Sequence, residues 1–222
     1  MPLHVRRFGA SSAPPIVFVA GFGDHGGMFE SLDRTALGQR YSLIAVDLPG
    51  TGRSAALDRR LTVSAAADAV REVAVRAGAK TIVGHSVGSI VASLVAPQTN
   101  SIDTVISIEG NLTLDDAYFS GSAAEYESAS TFRVRFLERL GAMAVDNPTL
   151  ERYRDQIAIA DAQSIWELGS DTDAWSRRNH PGEVLARSAS RVSYLYNPEN
   201  TPAASRRWLD ESDRATLRLE NA

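Results

Sequence analysis

The sequence predicts an α/β protein: a mostly parallel sheet covered by helices, with a helical cap inserted after the sixth strand. Three observations predict it. Stretches of strand length, the continuous apolar run Ile16–Ala20 and then Tyr41–Val46 and Ile102–Ile108, alternate with helix-like stretches from residue 16 to 109. Continuous runs of this kind suit parallel strands buried on both faces, and the alternation suits crossover helices. Second, the β-branched run Thr81-Ile82-Val83 leads into Gly84-His85-Ser86-Val87-Gly88 and then an apolar helical stretch. Third, strand pattern is lost from about residue 112 to 189 and returns at Val192–Tyr196. The expected division is therefore a core of 1–111 and 190–222 with a cap of 112–189.

Taken in order, Leu3–Phe8 reads as a short first strand and Gly9–Pro14 as a turn. Ile16–Ala20 follows and ends in Gly21-Phe22-Gly23-Asp24-His25-Gly26. That hexad satisfies Gly-x-Gly-x-x-Gly, and the next apolar strand ends in Asp47, about twenty residues on, as in a dinucleotide fingerprint. Three features oppose a nucleotide there: Asp24 beside the pyrophosphate position, Gly27 where a helix should start, and the turn-rich loop Leu48–Ser54. Thr62–Ala77 reads as a helix with Val63, Ala66, Val70, Val73 and Ala77 on one face and Gly78 as its C-cap. The helix behind Ser86 runs from Val87 to Ala96 and is closed by Pro97, and Ile102–Ile108 ends in Glu109-Gly110-Asn111. Amphipathic pieces then appear at Phe132–Leu140 and Thr149–Leu168, aromatic enough to line a small hydrophobic pocket or to form their own core. A helix over Pro202–Glu211 and a strand over Ala215–Leu219 complete the pattern.

At 222 residues the chain suits one domain with an insertion. Its 44% hydrophobic and 23% charged residues are ordinary for a soluble globular protein. A net charge of −4 without a basic stripe argues against nucleic-acid binding. Without cysteine, disulfides, thiol catalysis and thiolate metal sites are excluded. The first residues lack the apolar stretch of a signal peptide, and no run approaches the ~20 apolar residues of a membrane span. The expectation is a cytoplasmic protein acting on a small molecule, with no membrane, cofactor or metal. Asn111-Leu112-Thr113 matches a glycosylation sequon and reads as chance in such a chain.

The stretch around Ser86 is the centre of the chemistry. A serine on a tight strand-to-helix turn holds a strained backbone, and the adjoining strand and helix leave no room for side chains at Gly84 and Gly88. The turn raises the Ser86 hydroxyl clear of the sheet and sets the Val87 amide at a helix N-terminus, where it can stabilise an oxyanion. A small-residue turn that merely allows close helix packing reads the same way over five residues.

Three stretches together resemble the α/β-hydrolase fold family. They are the strand ending in Gly21-Phe22-Gly23, the loop Asp47-Leu48-Pro49-Gly50-Thr51-Gly52-Arg53-Ser54, and Gly84-His85-Ser86-Val87-Gly88. The resemblance implies a serine hydrolase with Ser86 as nucleophile and the amides of Phe22 and Val87 as the oxyanion hole. It also implies Gly21, Gly84 and Gly88 as motif glycines, Asp47 as a structural loop residue, and a cap that shapes the pocket. Ala20 stands where a histidine usually precedes the first glycine. In the family the general base is a histidine after the last strand, in the order serine, acid, histidine. Here Ala215–Ala222 closes the sequence, so the expectation is a chain that stops short of that histidine and is a poor catalyst. Of the histidines present, His4 and His180 are expected to be ordinary surface or packing residues and His85 to face away from the reaction, whereas His25 could approach Ser86. The acid could be Glu109, Glu199 or the residue at Asn200, with Glu109 favoured. The function expected is hydrolysis of a small carboxylic ester or related acyl compound. A non-catalytic ligand-binding relative is the alternative, and a homodimer through an uncovered sheet edge is a further expectation.

Overall fold

The computed structural model describes residues 2–212 and 216–218 of the chain. Its sheet has seven strands in the order β1-β3-β2-β4-β5-β6-β7. They are β1 (Val5–Gly9), β2 (Pro15–Val19), β3 (Ser42–Val46), β4 (Thr81–His85), β5 (Thr104–Ile108), β6 (Arg191–Tyr196) and β7 (Thr216–Arg218). Only β1 runs antiparallel, beside β3. The helices are α1 (Ala36–Arg40), α2 (Val63–Ala77), α3 (Val87–Val95), α4 (Ala129–Met143), α5 (Pro148–Ile159), α6 (Ala162–Asn179), α7 (Pro181–Ala186) and α8 (Ala203–Glu211).

The apolar runs have no polar side because both faces of the sheet are covered. Val17, Val19, Ile44, Val46 and Ile82 pack toward α2 and α3. The alternate residues Ile16, Phe18, Leu43, Ala45 and Val83 pack with Phe29 in a second core on the opposite face. Helix α2 has the predicted C-cap, Gly78, left-handed at φ 64°; Thr62, read as its first residue, is instead its N-cap, whose hydroxyl accepts from the Ala65 amide.

The insertion leaves the sheet after the fifth strand in chain order, not the sixth, because residues 3–109 supply only β1 to β5 among the described residues. It holds short 3₁₀ turns at Leu114–Ala117 and Ser120–Glu125, then α4 to α7. The stretch 149–168, one amphipathic piece in sequence, is two helices. Ala160 is extended, and the Asp161 carboxylate caps α6 by accepting from the Ser164 amide at 2.8 Å. Phe132, Phe136 and Leu140, spaced by four, are buried along one face of α4. On α6, Glu167 and Asp171 accept from the Leu61 and Val63 amides at 2.7 and 2.9 Å, which fastens the insertion to the N-terminus of α2. Asn111 is buried, so the sequon is inaccessible in the fold. The final strand predicted over 215–219 is described at 216–218; its two outer residues lie outside the described residues. Among the described residues no helix is long and apolar enough to cross a membrane.

Candidate active site

Strand β4 delivers Ser86 to the mouth of α3, with φ 51° and ψ −126°. A non-glycine residue with this backbone is strained and persists only where its surroundings fix it. They do so here. The Ser86 amide donates to the Ile108 carbonyl at 3.0 Å, and the Ser86 carbonyl accepts from Ser89. A Cβ on Gly84 would stand 2.3 Å from the Gly88 carbonyl oxygen, and one on Gly88 would stand 2.4 Å from that of Val19. A Cβ on Gly21 would lie 2.8 Å from His85 Nδ1 and 3.2 Å from Ser86 Cβ. All three motif glycines are thus places where strand, helix and loop touch backbone to backbone or backbone to side chain. Val87 opens α3, so its amide is one of the donors a helix leaves without an internal partner.

Ser86 lies on a cavity of about 320 Å³ whose lining includes Gly21, Phe22, His85, Glu109 and Asn200. Gly84 and Gly88 sit beneath the turn, outside that lining, and Val87 is buried. Glu109, at the end of β5, holds φ 44°; its amide donates to the Leu195 carbonyl at 2.8 Å. Its Oε1 accepts from Asn200 Nδ2 at 3.2 Å. Two of the three candidate acid positions therefore meet each other on the cavity wall. Glu199 is exposed and absent from the lining; its amide donates to Asn197 in a turn.

None of the four histidines hydrogen-bonds Ser86. His85, expected to face away, is part of the cavity lining, and the loop at Gly21 packs directly against its ring. Its Nδ1 is buried without a hydrogen-bond partner, and burial pushes its pKa down against the raising effect of Glu109. His25 does not approach Ser86; its Nδ1 accepts from the Gly27 amide and caps a 3₁₀ stretch, Gly26–Arg34. His180 is exposed, in a left-handed link between α6 and α7. His4 Nδ1 is 2.9 Å from Asp47 Oδ2.

Asp47 is fully buried and also accepts from the Gly26 and Arg53 amides at 2.8 and 2.9 Å. Burial alone would raise its pKa; those two amides, Arg6 and His4 bring it below the usual carboxylate value. It is a loop anchor, as the resemblance implies. The nucleotide reading fails with it: Asp47 has no exposed edge for a ribose, and a 3₁₀ stretch replaces the required helix.

Asp24, Asp116, Arg152 and Tyr153 are among the cavity residues that the sequence did not mark as part of the site. Arg152 donates from its two terminal nitrogens to Asp24 Oδ1 and Oδ2 at 3.1 and 2.7 Å, and the Tyr153 hydroxyl donates to the Phe22 carbonyl at 2.8 Å. Asp116 Oδ2 accepts from the amides of Leu112 and Thr113 and from Ser205 Oγ, yet burial still holds its carboxyl above the usual value. The Asp24–Arg152 and Phe22–Tyr153 contacts join residues 128 and 131 positions apart, where no local pattern marks them, whereas Thr113-x-x-Asp116 is a local capping box. Among the described residues no group of three or more His, Cys, Asp or Glu could hold a metal ion.

A model of the alpha/beta hydrolase family matches residues 16–221. The dihydrolipoyllysine-residue acetyltransferase component of the acetoin cleaving system of Cupriavidus necator is 29% identical over 214 residues. That match covers 90% of this chain but 56% of the relative, so the chain spans little more than half of that protein. A hydrolase from Pseudomonas aeruginosa PA01 superposes with a TM-score of 0.71 at 18% identity, over 98% of this chain and 85% of that one. The enol-lactonase from Burkholderia xenovorans LB400 gives 0.71 at 19% identity, over 98% and 88%. At these identities the likeness is one of fold.

Proposed function

The chain belongs to the alpha/beta hydrolase family, and on that premise we propose that it hydrolyses a small carboxylic ester, open or cyclic, through an acyl-enzyme on Ser86. The observation that carries this reading is the Ser86 backbone, strained at φ 51° beside a cavity of about 320 Å³. Such strain costs about 1–3 kcal/mol, and a turn that only packed a helix would gain nothing from it. Ser86 Oγ attacks the ester carbonyl and gives up its proton to water or to added imidazole. The amides of Phe22 and Val87 donate to the oxygen as it becomes negative, in a site where fixed dipoles act without reorganising. The C–O bond to the leaving group breaks, the departing oxygen takes a proton, and acyl-Ser86 remains. Water then attacks the acyl carbon, releasing the acid and restoring Ser86. Glu109, with Asn200 bonded to it, is the carboxylate that would orient a base. Residues 112–189 act as the cap: α5 supplies Arg152 and Tyr153 to the cavity wall.

No histidine bonds Ser86, so the chain as given turns over slowly. Loss of the imidazole from a serine triad removes about 10⁶-fold in rate and leaves roughly 10³–10⁴ over water. The same observation favours a second reading, a ligand-binding relative that keeps the pocket without the chemistry. Added imidazole separates the two. With p-nitrophenyl acetate, hydrolysis above the Ser86→Ala background is expected to be small and to rise steeply with imidazole. Equal rates for the two proteins at every imidazole concentration would favour the binding reading.

A further inference from the structure

We infer that Arg152 and Tyr153 of α5 are positioning residues that hold the loop Gly21–Asp24, and with it the Phe22 amide, in its reactive geometry. The inference rests on the hydrolase reading, since it concerns the oxyanion site proposed above. The loop is a four-residue turn: the Asp24 amide donates to the Gly21 carbonyl at 3.2 Å, and Gly23 takes φ +69°. Positive φ at the third position is the signature of a type II turn, which differs from type I by a flip of its central peptide. Here that peptide is Phe22–Gly23, and glycine allows either state. The Tyr153 hydroxyl bonds the Phe22 carbonyl and so selects one orientation of the Phe22–Gly23 peptide; the Phe22 amide, on the preceding Gly21–Phe22 peptide, is held through the turn that this orientation keeps closed.

Two further contacts from the same helix act on the next residues. A Cβ on Gly23 would stand 2.1 Å from Ile157 Cδ1, so α5 lies flush against the turn. Arg152 grips both oxygens of buried Asp24, whose Oδ1 also accepts from the His25 amide at 2.8 Å. A bidentate pair of this kind fixes direction as well as distance. Tyr153, Ile157 and Arg152 span little more than one helical turn, and together they meet three consecutive loop residues. The insertion is also fastened to the core through α6, through the rings of α4 on Phe22, and through Asp116 to Ser205. Helix α5 is the part of the insertion whose polar side chains bond the backbone and carboxylate of that turn.

The test compares Tyr153→Phe, Arg152→Gln and Arg152→Lys with the parent chain. The readouts are kcat and KM for p-nitrophenyl acetate with imidazole added, after subtracting the Ser86→Ala background. A misplaced oxyanion donor lowers the chemical step, and about a 10-fold fall in kcat is expected for Tyr153→Phe and Arg152→Gln, with KM changed less than about twofold. Arg152→Lys, which keeps a charge and a donor, is expected to retain more of kcat than Arg152→Gln. Arg152 is half-exposed and its substitution leaves the core intact, so thermal unfolding of its variants controls for folding. Unchanged kcat in folded variants would overturn the inference. So would a raised KM at constant kcat, which would make these side chains substrate contacts instead. A parent chain with no Ser86-dependent turnover would overturn the hydrolase reading and the inference with it.

Discussion

Gly84 tolerates less change than any neighbour of the elbow, because what a side chain there would strike is the backbone of Gly88 and Ser89, which cannot step aside. Gly84→Ala is expected to cost about 2 kcal/mol or more, read as a lower urea midpoint at unchanged slope. His85 makes a different prediction. Burial depresses its pKa in the fold, so folding favours the neutral ring. Its contribution to stability is complete above the ordinary histidine value of about 6.5 and is lost as pH falls below it toward the depressed value. Unfolding midpoints measured from pH 8 to 5 should fall in the parent chain and fall less in His85→Gln; equal slopes would contradict the assignment. At this scale the sequence was legible where chemistry is local. Ser86, Gly84 and Gly88 lie within five positions, and crowding alone explains their spacing. The bond from Asn200 to Glu109 spans 91 positions and the Asp24–Arg152 pair 128, and only the folded sheet brings such residues together. His85 depends on the fold in the same way: its buried Nδ1 packs against Gly21, another part of the chain.

Elements were most legible where both faces are buried. Strands β2 and β3 have nearly continuous apolar runs because a core lies on each side, and the predicted ends of β2 to β5 agree with the observed ones to within two residues. The insertion was less legible. Its break at Ala160–Asp161 leaves the amphipathic pattern uninterrupted, since α5 and α6 both turn apolar residues toward α4 and the core. Its docking depends on rings: Phe22 lies 6.2 Å from Phe132 and 6.0 Å from Phe136, and the latter two stack at 5.1 Å. Phe136→Ala is expected to cost about 3–5 kcal/mol. Because Phe136 touches Phe22 directly, amide hydrogen exchange should also quicken at residues 21–24; a loss of stability without that change would place Phe136 in the insertion's own core alone.

Across the whole molecule, the parallel strands bring the candidate groups to one edge. The Phe22 loop leaves β2, Ser86 leaves β4, Glu109 ends β5 and Asn200 follows β6, all at the carboxyl ends where open α/β sheets bind ligands. Helix α6 ties the insertion to the core, and α5 closes the wall beside the serine. The most direct test is to mix the chain with p-nitrophenyl acetate and imidazole, quench in acid, and measure intact and peptide masses. One acetyl group on Ser86, absent from Ser86→Ala, is the result this account predicts. Acetylation confined to Lys80 or the amino terminus, with Ser86 unmodified at every time and imidazole concentration, would contradict it.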